Sequence, residues 1–191
     1  MNNSSLVIGI VVAVAVIIAI ALIVRAQRTQ KLKSRFGPEY QRAVKETGSA
    51  AQAEAKLQKL ENRVERYHIK PLSPEARVDF AAKWQTIQGR FVDDPRTALT
   101  EADRLIQQIM TARGYPVADF EQRAADVSVD HPLVVENYRA GHDISVRHAQ
   151  GRASTEDLRQ AMIHYRTLFA ELADEPELGR SPATNARAAR A

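Results

Sequence analysis

The chain has 191 residues, 45% of them hydrophobic, and a formal net charge of +4. It contains no cysteine, which excludes a disulfide framework, a thiolate zinc site and a cysteine nucleophile. Residues 36–173 carry 19 Lys and Arg against 20 Asp and Glu, so their charges nearly cancel. The positive excess comes from basic residues of 25–35, which follow an apolar segment. The basic isoelectric point therefore does not indicate a nucleic-acid-binding face.

The apolar segment covers residues 6–24, nineteen consecutive uncharged residues rich in Leu, Val, Ile and Ala. As a helix it would be ~28 Å long, which matches the hydrocarbon core of a bilayer. A short uncharged tail, residues 1–5, precedes it, and five basic residues follow it: Arg25, Arg28, Lys31, Lys33 and Arg35. Because Lys and Arg resist translocation, we predict a single-pass transmembrane helix with a non-cytoplasmic N-terminus and a cytoplasmic C-terminal domain.

Two alternatives to this topology stay open. A cleaved signal peptide would have a basic n-region and a shorter apolar core than residues 6–24 provide. An uncleaved anchor with the domain outside is the other alternative, since the charge rule has exceptions. The basic patch is either a topology signal alone or a surface that attracts anionic lipid.

Residues 25–38 are predicted as a basic juxtamembrane helix that ends in a hinge at Phe36-Gly37-Pro38, because Gly suits a helix end and Pro a helix start. A helical domain, residues 39–173, follows. Its first helix is predicted over residues 39–67 and carries a heptad-like stripe: Leu57, Leu60, Val64 and Tyr67. This stripe is either a self-association seam in a coiled-coil dimer or a face that packs on its own domain.

Further helix boundaries are marked by local signals. Ser73-Pro74 and Asp94-Pro95 each combine an N-cap with proline at the first helical position. Gly114 should end the helix that Asp94-Pro95 begins. A short helix through Phe120, a helix opened by Asp130-His131-Pro132 and ended by Gly151, and a last helix capped by Ser154 should follow. An aromatic stripe on the Ser73 helix is expected to form the main core cluster: Phe80, Trp84 and Phe91, with Ile87 between them.

No segment alternates with period two over the length of a strand. The predicted fold class is therefore all-α, an N-terminal transmembrane helix followed by a bundle of five to six helices. Residues 174–191 are rich in Pro, Ala and Arg without an apolar period and are predicted to be disordered.

The sequence contains no glycine-rich nucleotide loop, no G-x-S-x-G and no H-E-x-x-H. No two histidines lie four residues apart, so no metal site is expected. The richest polar stretch is residues 119–142, and its candidate site consists of six residues: Asp126, Asp130, His131, Glu136, Tyr138 and His142. Carboxylates could there orient an imidazole base, whereas caps and local ion pairs are the alternative explanation.

Several sequence phrases carry a resemblance: RFGPEY (35–40), PLSPE (71–75), RFVDDP (90–95), RGYPV (113–117), DFEQRAAD (119–126) and SVDHP (128–132). They resemble a family of bacterial single-span membrane proteins with a C-terminal all-helical domain and no assigned activity. The resemblance covers roughly residues 34–172. It implies the bacterial inner membrane and gives no catalytic residue or cofactor.

The expected function is a membrane-tethered helical interaction or scaffold module, not an enzyme. Its expected partners are the lipid bilayer and a protein, which could be a second copy of the chain; no nucleic acid, cofactor or small-molecule ligand is expected. Two alternatives remain: an enzyme or ligand sensor that uses residues 119–142, and an anionic-lipid or nucleic-acid binder that uses residues 25–35.

Overall fold

The computed structural model describes residues 3–173, with side chains from residue 11 onward. Within these residues the chain forms α-helices and no strand, which confirms the all-α class. The helices are α1 (Asn3–Phe36), α2 (Pro38–Thr47), α3 (Ala50–Val64), α4 (Pro74–Asp93), α5 (Pro95–Arg113), α6 (Phe120–Asp130), α7 (Val135–Ala149) and α8 (Thr155–Ala173). The disorder predicted for residues 174–191 concerns residues outside this described part.

The chain divides into two compact units, the first ending at Gln58 and the second beginning at Lys59. The first unit consists of α1, α2 and the first part of α3. The second consists of the last part of α3 and of α4 to α8.

Helix α1 is 34 residues long and continues without a break from the apolar segment through the basic stretch. Within the described residues it is the one helix long and apolar enough to cross a membrane. It ends at the predicted hinge, where Gly37 adopts a φ of 48° and Pro38 begins α2. The turn between α1 and α2 is therefore set by a glycine in a conformation that other residues rarely adopt.

The far end of α1 packs within the first unit. Leu32 and Phe36 are buried, as is Tyr40 on α2. Glu54 on α3 accepts hydrogen bonds from the hydroxyls of Thr29, at 2.8 Å, and Tyr40, at 3.1 Å. These contacts attach α3 to the basic part of α1.

The single helix predicted over residues 39–67 is wrong in two respects. It is interrupted at Gly48, which adopts a left-handed φ of 69° and donates its N–H to the carbonyl of Val44, so that α2 ends and α3 begins anew at Ala50. The second helix then ends at Val64 rather than at Tyr67. Glycine enters the left-handed region at low cost, and this position uses that freedom to end a helix.

The caps of α4 and α5 agree with the sequence. The side chain of Ser73 accepts a hydrogen bond from the backbone N–H of Ala76, and that of Asp94 accepts one from Thr97. Helix α5 ends at Gly114, whose φ is 99°. Each hydrogen bond satisfies one of the backbone groups that a helix end leaves without an intrahelical partner.

The core of the second unit lies between α4, α5, α7 and α8. Phe80 and Trp84 are buried as predicted, whereas Phe91 is half-buried. The ring of Trp84 stacks on that of Phe169 with centroids 4.9 Å apart. Helix α8 buries apolar residues at spacings of four, three, four and three: Leu158, Met162, Tyr165, Phe169 and Leu172.

The start of α7 differs from the prediction. Asp130 is the last residue of α6 and His131 its C-cap, so these residues end one helix rather than open the next. Helix α7 begins at Val135, without a side-chain cap. By contrast, α6 begins at the cap that Asp119 provides, and Ser154 with Asp157 forms a reciprocal capping box at α8.

Seven helices follow α1 within residues 38–173. This number exceeds the predicted five to six because the predicted 39–67 helix forms both α2 and α3.

Candidate functional site

The predicted polar segment, residues 119–142, lies on α6, the turn after it and the first half of α7. Its most buried acid is Asp126, 1% exposed, whose carboxylate is bound by Arg63 from α3 with an Nη2–Oδ1 distance of 2.5 Å. The hydroxyl of Tyr67 lies 3.4 Å from the other carboxylate oxygen. Burial raises the pKa of Asp126, and the Arg63 guanidinium partly opposes this shift.

Asp130 and His131 are adjacent in the sequence but contact different parts of the unit. The exposed carboxylate of Asp130 accepts a hydrogen bond from the hydroxyl of Tyr115 at 3.3 Å. The buried ring of His131 lies with Nδ1 3.1 Å from a carboxylate oxygen of Glu171 on α8. Its Nε2 has no hydrogen-bond partner among the described residues. These contacts hold the end of α6 and do not form a common site.

Tyr138 and His142 lie on α7 and contact α6. The fully buried Tyr138 accepts a hydrogen bond from Arg123 Nε at 3.1 Å, and burial raises the pKa of its hydroxyl. The ring of His142 stacks on that of Phe120 with centroids 3.6 Å apart, and burial lowers its pKa. Glu136, the remaining candidate, is exposed.

Asp126, Asp130, His131 and His142 each contact a different partner, so these contacts do not describe the predicted convergence of the four on one pocket. Within residues 3–173 no group of three or more His, Asp and Glu side chains is arranged to hold a metal ion. The contacts hold α6 against its neighbouring helices, so their role is to stabilise the fold.

A second polar network joins α5, α7 and α8. The buried hydroxyl of Tyr165 donates a hydrogen bond to Asp103 at 3.0 Å and lies 3.1 Å from the hydroxyl of Ser145. Gln107 donates to the other oxygen of Asp103 at 2.6 Å. Burial is the largest cause of the raised pKa of Tyr165, and the Asp103 carboxylate raises it further.

Sequence reasoning missed this network, although one signal of it is present. Asp103 occupies an apolar position of α5, between Leu99 and Ile106 at spacings of four and three residues. A carboxylate in a buried stripe requires hydrogen-bond donors, so the position indicates a buried polar network.

A shallow cleft of about 370 Å³ lies between α4 and α5 and was also missed. Its floor is formed by the buried side chains of Ile87 and Leu105. Arg90 and Glu101 form an ion pair across it, and Lys83 and Arg104 also line it. It contains one acid and no histidine, which does not resemble an acid–base site.

The predicted self-association seam is buried within a single chain. Leu57, Leu60 and Val64 are between 2% and 7% exposed, and Tyr67 is half-buried. A second copy could pair along the seam only if these buried side chains first became exposed. Self-association through these residues stays a prediction.

The basic patch is accessible. Arg25, Arg28, Lys31 and Lys33 are exposed on α1, and Arg35 is half-buried. The patch therefore presents charge to its surroundings along the same helix that carries the apolar segment.

The chain matches no protein-family model, no curated protein and no solved structure. The family resemblance of residues 34–172 therefore stays a prediction.

Proposed function

We propose that the protein is a membrane-tethered helical interaction module, anchored by α1 in a bacterial inner membrane. The observation that carries the proposal is the continuity of α1 from an exposed apolar segment to a packed end. Side chains of residues 11–24 are exposed to an unusual degree, for example Val11 at 62% and Ile17 at 65%. Such a band would be unfavourable in water and is favourable in the hydrocarbon core of a bilayer.

Retention of the anchor is supported by the packing of its far end. Leu32 and Phe36 belong to the same helix as the apolar segment and are buried against the first unit. Cleavage after the apolar segment would cut α1 between this segment and the buried Leu32 and Phe36. A signal peptidase also requires a small-residue site beyond a short apolar core, and here the helix continues into basic residues.

The orientation rests on charge. The exposed Arg25, Arg28 and Lys31 directly follow the apolar segment, whereas residues 1–5 carry no charged side chain. The difference favours a cytoplasmic C-terminal domain.

The role that we favour for the helical domain is binding of a protein partner. The polar side chains of residues 119–142 are engaged in contacts that hold the fold, which leaves little for catalysis. The surface of the domain also presents isolated large apolar side chains, among them Val117 at 86%, Val92 at 83% and Leu133 at 81% exposed. A second copy of the chain is one candidate partner.

The anchor and orientation are tested with the full chain in a bacterial inner membrane. Intact-mass measurement should find residues 1–25 present, and green fluorescent protein fused after Ala191 should fluoresce while alkaline phosphatase fused there stays inactive. A mature protein that lacks the apolar segment would contradict the anchor. Active alkaline phosphatase would contradict only the orientation.

The partner is tested by site-specific photo-crosslinking in native membranes. A photoreactive residue at Val117 or Leu133 should give a discrete crosslinked species, and the same residue at exposed Gln85 serves as the control. A species of twice the chain mass would identify a second copy. Absence of any species specific to the first two positions would argue against a partner at either position.

A further inference from the structure

Four of the five cations that follow the apolar part of α1 have no acidic partner among the described residues. Within the described residues, Arg25, Arg28, Lys31 and Lys33 form no salt bridge. Lys33 lies above the ring of Tyr40, 5.5 Å from its centroid, which holds its charge in place without cancelling it. Four positive charges are thus presented by one helical segment.

The acids that could neutralise them are engaged elsewhere in the first unit. Residues 25–58 contain eight Lys and Arg but three acids. Each of the three acids has a partner outside the group of Arg25, Arg28, Lys31 and Lys33: Glu39 pairs with Arg42, Glu46 with Arg42 and Lys56, and Glu54 with Thr29 and Tyr40. The excess charge is therefore a property of the folded unit and not only of its composition.

The helix sets the height of each charge. With a rise of ~1.5 Å per residue, Arg25 and Arg28 lie roughly 2 and 6 Å beyond Val24, and Lys31 and Lys33 roughly 10 and 14 Å beyond it. The headgroup layer of one leaflet is about 5–7 Å thick, and charges act over a Debye length of about 8 Å at physiological ionic strength. Arg25 and Arg28 would reach the headgroups, and Lys31 and Lys33 would lie within range of their charge.

We infer that this segment of α1 selects anionic phospholipids, whose phosphodiester headgroups carry a net negative charge, from the bilayer around the anchor. The inference rests on the proposed function, since it requires α1 to cross the bilayer. Packing of Leu32 and Phe36 keeps the segment helical, so the charges face the headgroups at fixed heights.

The test uses the full chain reconstituted in phosphatidylcholine bilayers that contain spin-labelled lipid. The motionally restricted fraction of spin-labelled phosphatidylglycerol is compared with that of spin-labelled phosphatidylcholine. We expect a preference of about threefold for phosphatidylglycerol, and expect about 0.5 M NaCl to reduce it towards unity. The two leaflets are identical, so the orientation of the chain does not affect the result.

The variant that combines Arg25→Gln, Arg28→Gln, Lys31→Gln and Lys33→Gln should lose the preference. Its matched control replaces four exposed cations of the second unit with glutamine and should keep it: Lys59, Lys70, Arg96 and Arg166. Arg25→Lys with Arg28→Lys should also keep it, because the charge is retained.

An equal restricted fraction for the two lipids in the wild-type chain would overturn the inference while leaving the anchor intact. No restricted lipid of either kind would instead mean that α1 is not inserted, and the proposed function would fail. Loss of the preference in phosphate but not in chloride of equal ionic strength would indicate a site for free phosphate and overturn the lipid assignment. Tighter binding of an oligonucleotide than of phosphatidylglycerol by the same segment would also overturn it.

Discussion

Arg63 donates two hydrogen bonds to one carboxylate oxygen of Asp126, from Nε at 3.1 Å and from Nη2 at 2.5 Å. The side chain of Asp126 is 1% exposed and that of Arg63 is 41% exposed. The acid is therefore desolvated much more than the base, and its charge depends on this one cation.

We expect Arg63→Met to lower the free energy of unfolding by about 1–3 kcal/mol at pH 7, because a buried carboxylate loses its partner. Burial already raises the pKa of Asp126, and loss of the guanidinium raises it further. The penalty for the ionised acid is absent below the unfolded pKa of about 3.9 and grows as the pH rises through the folded pKa, so the loss should shrink towards pH 4. Denaturation of the full chain in detergent, followed by circular dichroism at both pH values, measures this.

The matched control is Arg66→Met, since Arg66 is exposed and its Nε bonds only to the backbone of Asn62. It should change stability by no more than about 0.5 kcal/mol. Combining Arg63→Met with Asp126→Asn should restore part of the loss. A loss that is the same at pH 4 and pH 7 would show that the carboxylate charge is not its cause.

The stacking of His142 on Phe120 should make the stability depend on pH in the mildly acidic range. Burial lowers the pKa of His142, so the unfolded chain binds its proton more tightly than the folded chain. Stability should therefore fall as the pH drops below about 6.5 towards the folded pKa. An NMR titration of the ring should give a pKa below that value, and His142→Gln should reduce the acid slope. Phe120→Leu should move the pKa of His142 back up, and titration of wild-type His142 at 6.5 or above would refute the argument.

Gly114 should be intolerant of a side chain. Its φ is 99°, and a Cβ there would lie 2.6 Å from the backbone oxygen of His68. Gly114→Ala should therefore cost at least about 1–3 kcal/mol, through both backbone strain and the clash. Gly89→Ala is the control, because Gly89 is within α4 with no atom within 4 Å of its added Cβ; that change should stabilise by about 0.5–1 kcal/mol. Melting temperatures that move in the same direction for both variants would contradict this reasoning.

Ser154 should contribute to the start of α8 through its reciprocal contacts with Asp157. Its hydroxyl accepts from the backbone N–H of Asp157 at 3.2 Å, and Asp157 accepts from the backbone N–H of Ser154 at 2.8 Å. Ser154→Ala should lower the free energy of unfolding by about 1 kcal/mol. Thr155→Ala, one position along, removes no such bond and should have a much smaller effect. Equal effects of the two changes, measured by chemical denaturation, would mean that the cap is not responsible.

The parts of the fold that depend on neighbouring residues could be predicted. The predicted caps Ser73, Asp94 and Ser154 each precede a helix that begins at the next residue, since capping involves atoms no more than a few residues apart. The break at Gly48 does not follow from the sequence, because a glycine inside a helical pattern is compatible with either a continuous or an ended helix.

The candidate site was harder to predict because its contacts are distant in the sequence. Asp126 and Arg63 are 63 residues apart, and in the second polar network, outside the candidate site, Tyr165 and Asp103 are 62 residues apart. The polarity of residues 119–142 indicated that these side chains need partners. Which partners they have depends on how the helices pack, and a single sequence does not specify this.

The uninterrupted course of α1 also sets the rotational phase of the first unit. Since successive residues of an α-helix are turned by about 100°, inserting one alanine between Val24 and Thr29 would rotate Leu32, Phe36 and everything packed on them by that angle around the helix axis. In the proposed membrane-spanning arrangement, the apolar segment would keep its own orientation in the bilayer. The number of residues between the bilayer and Phe36 would then fix which side of the first unit faces any neighbour embedded beside the anchor.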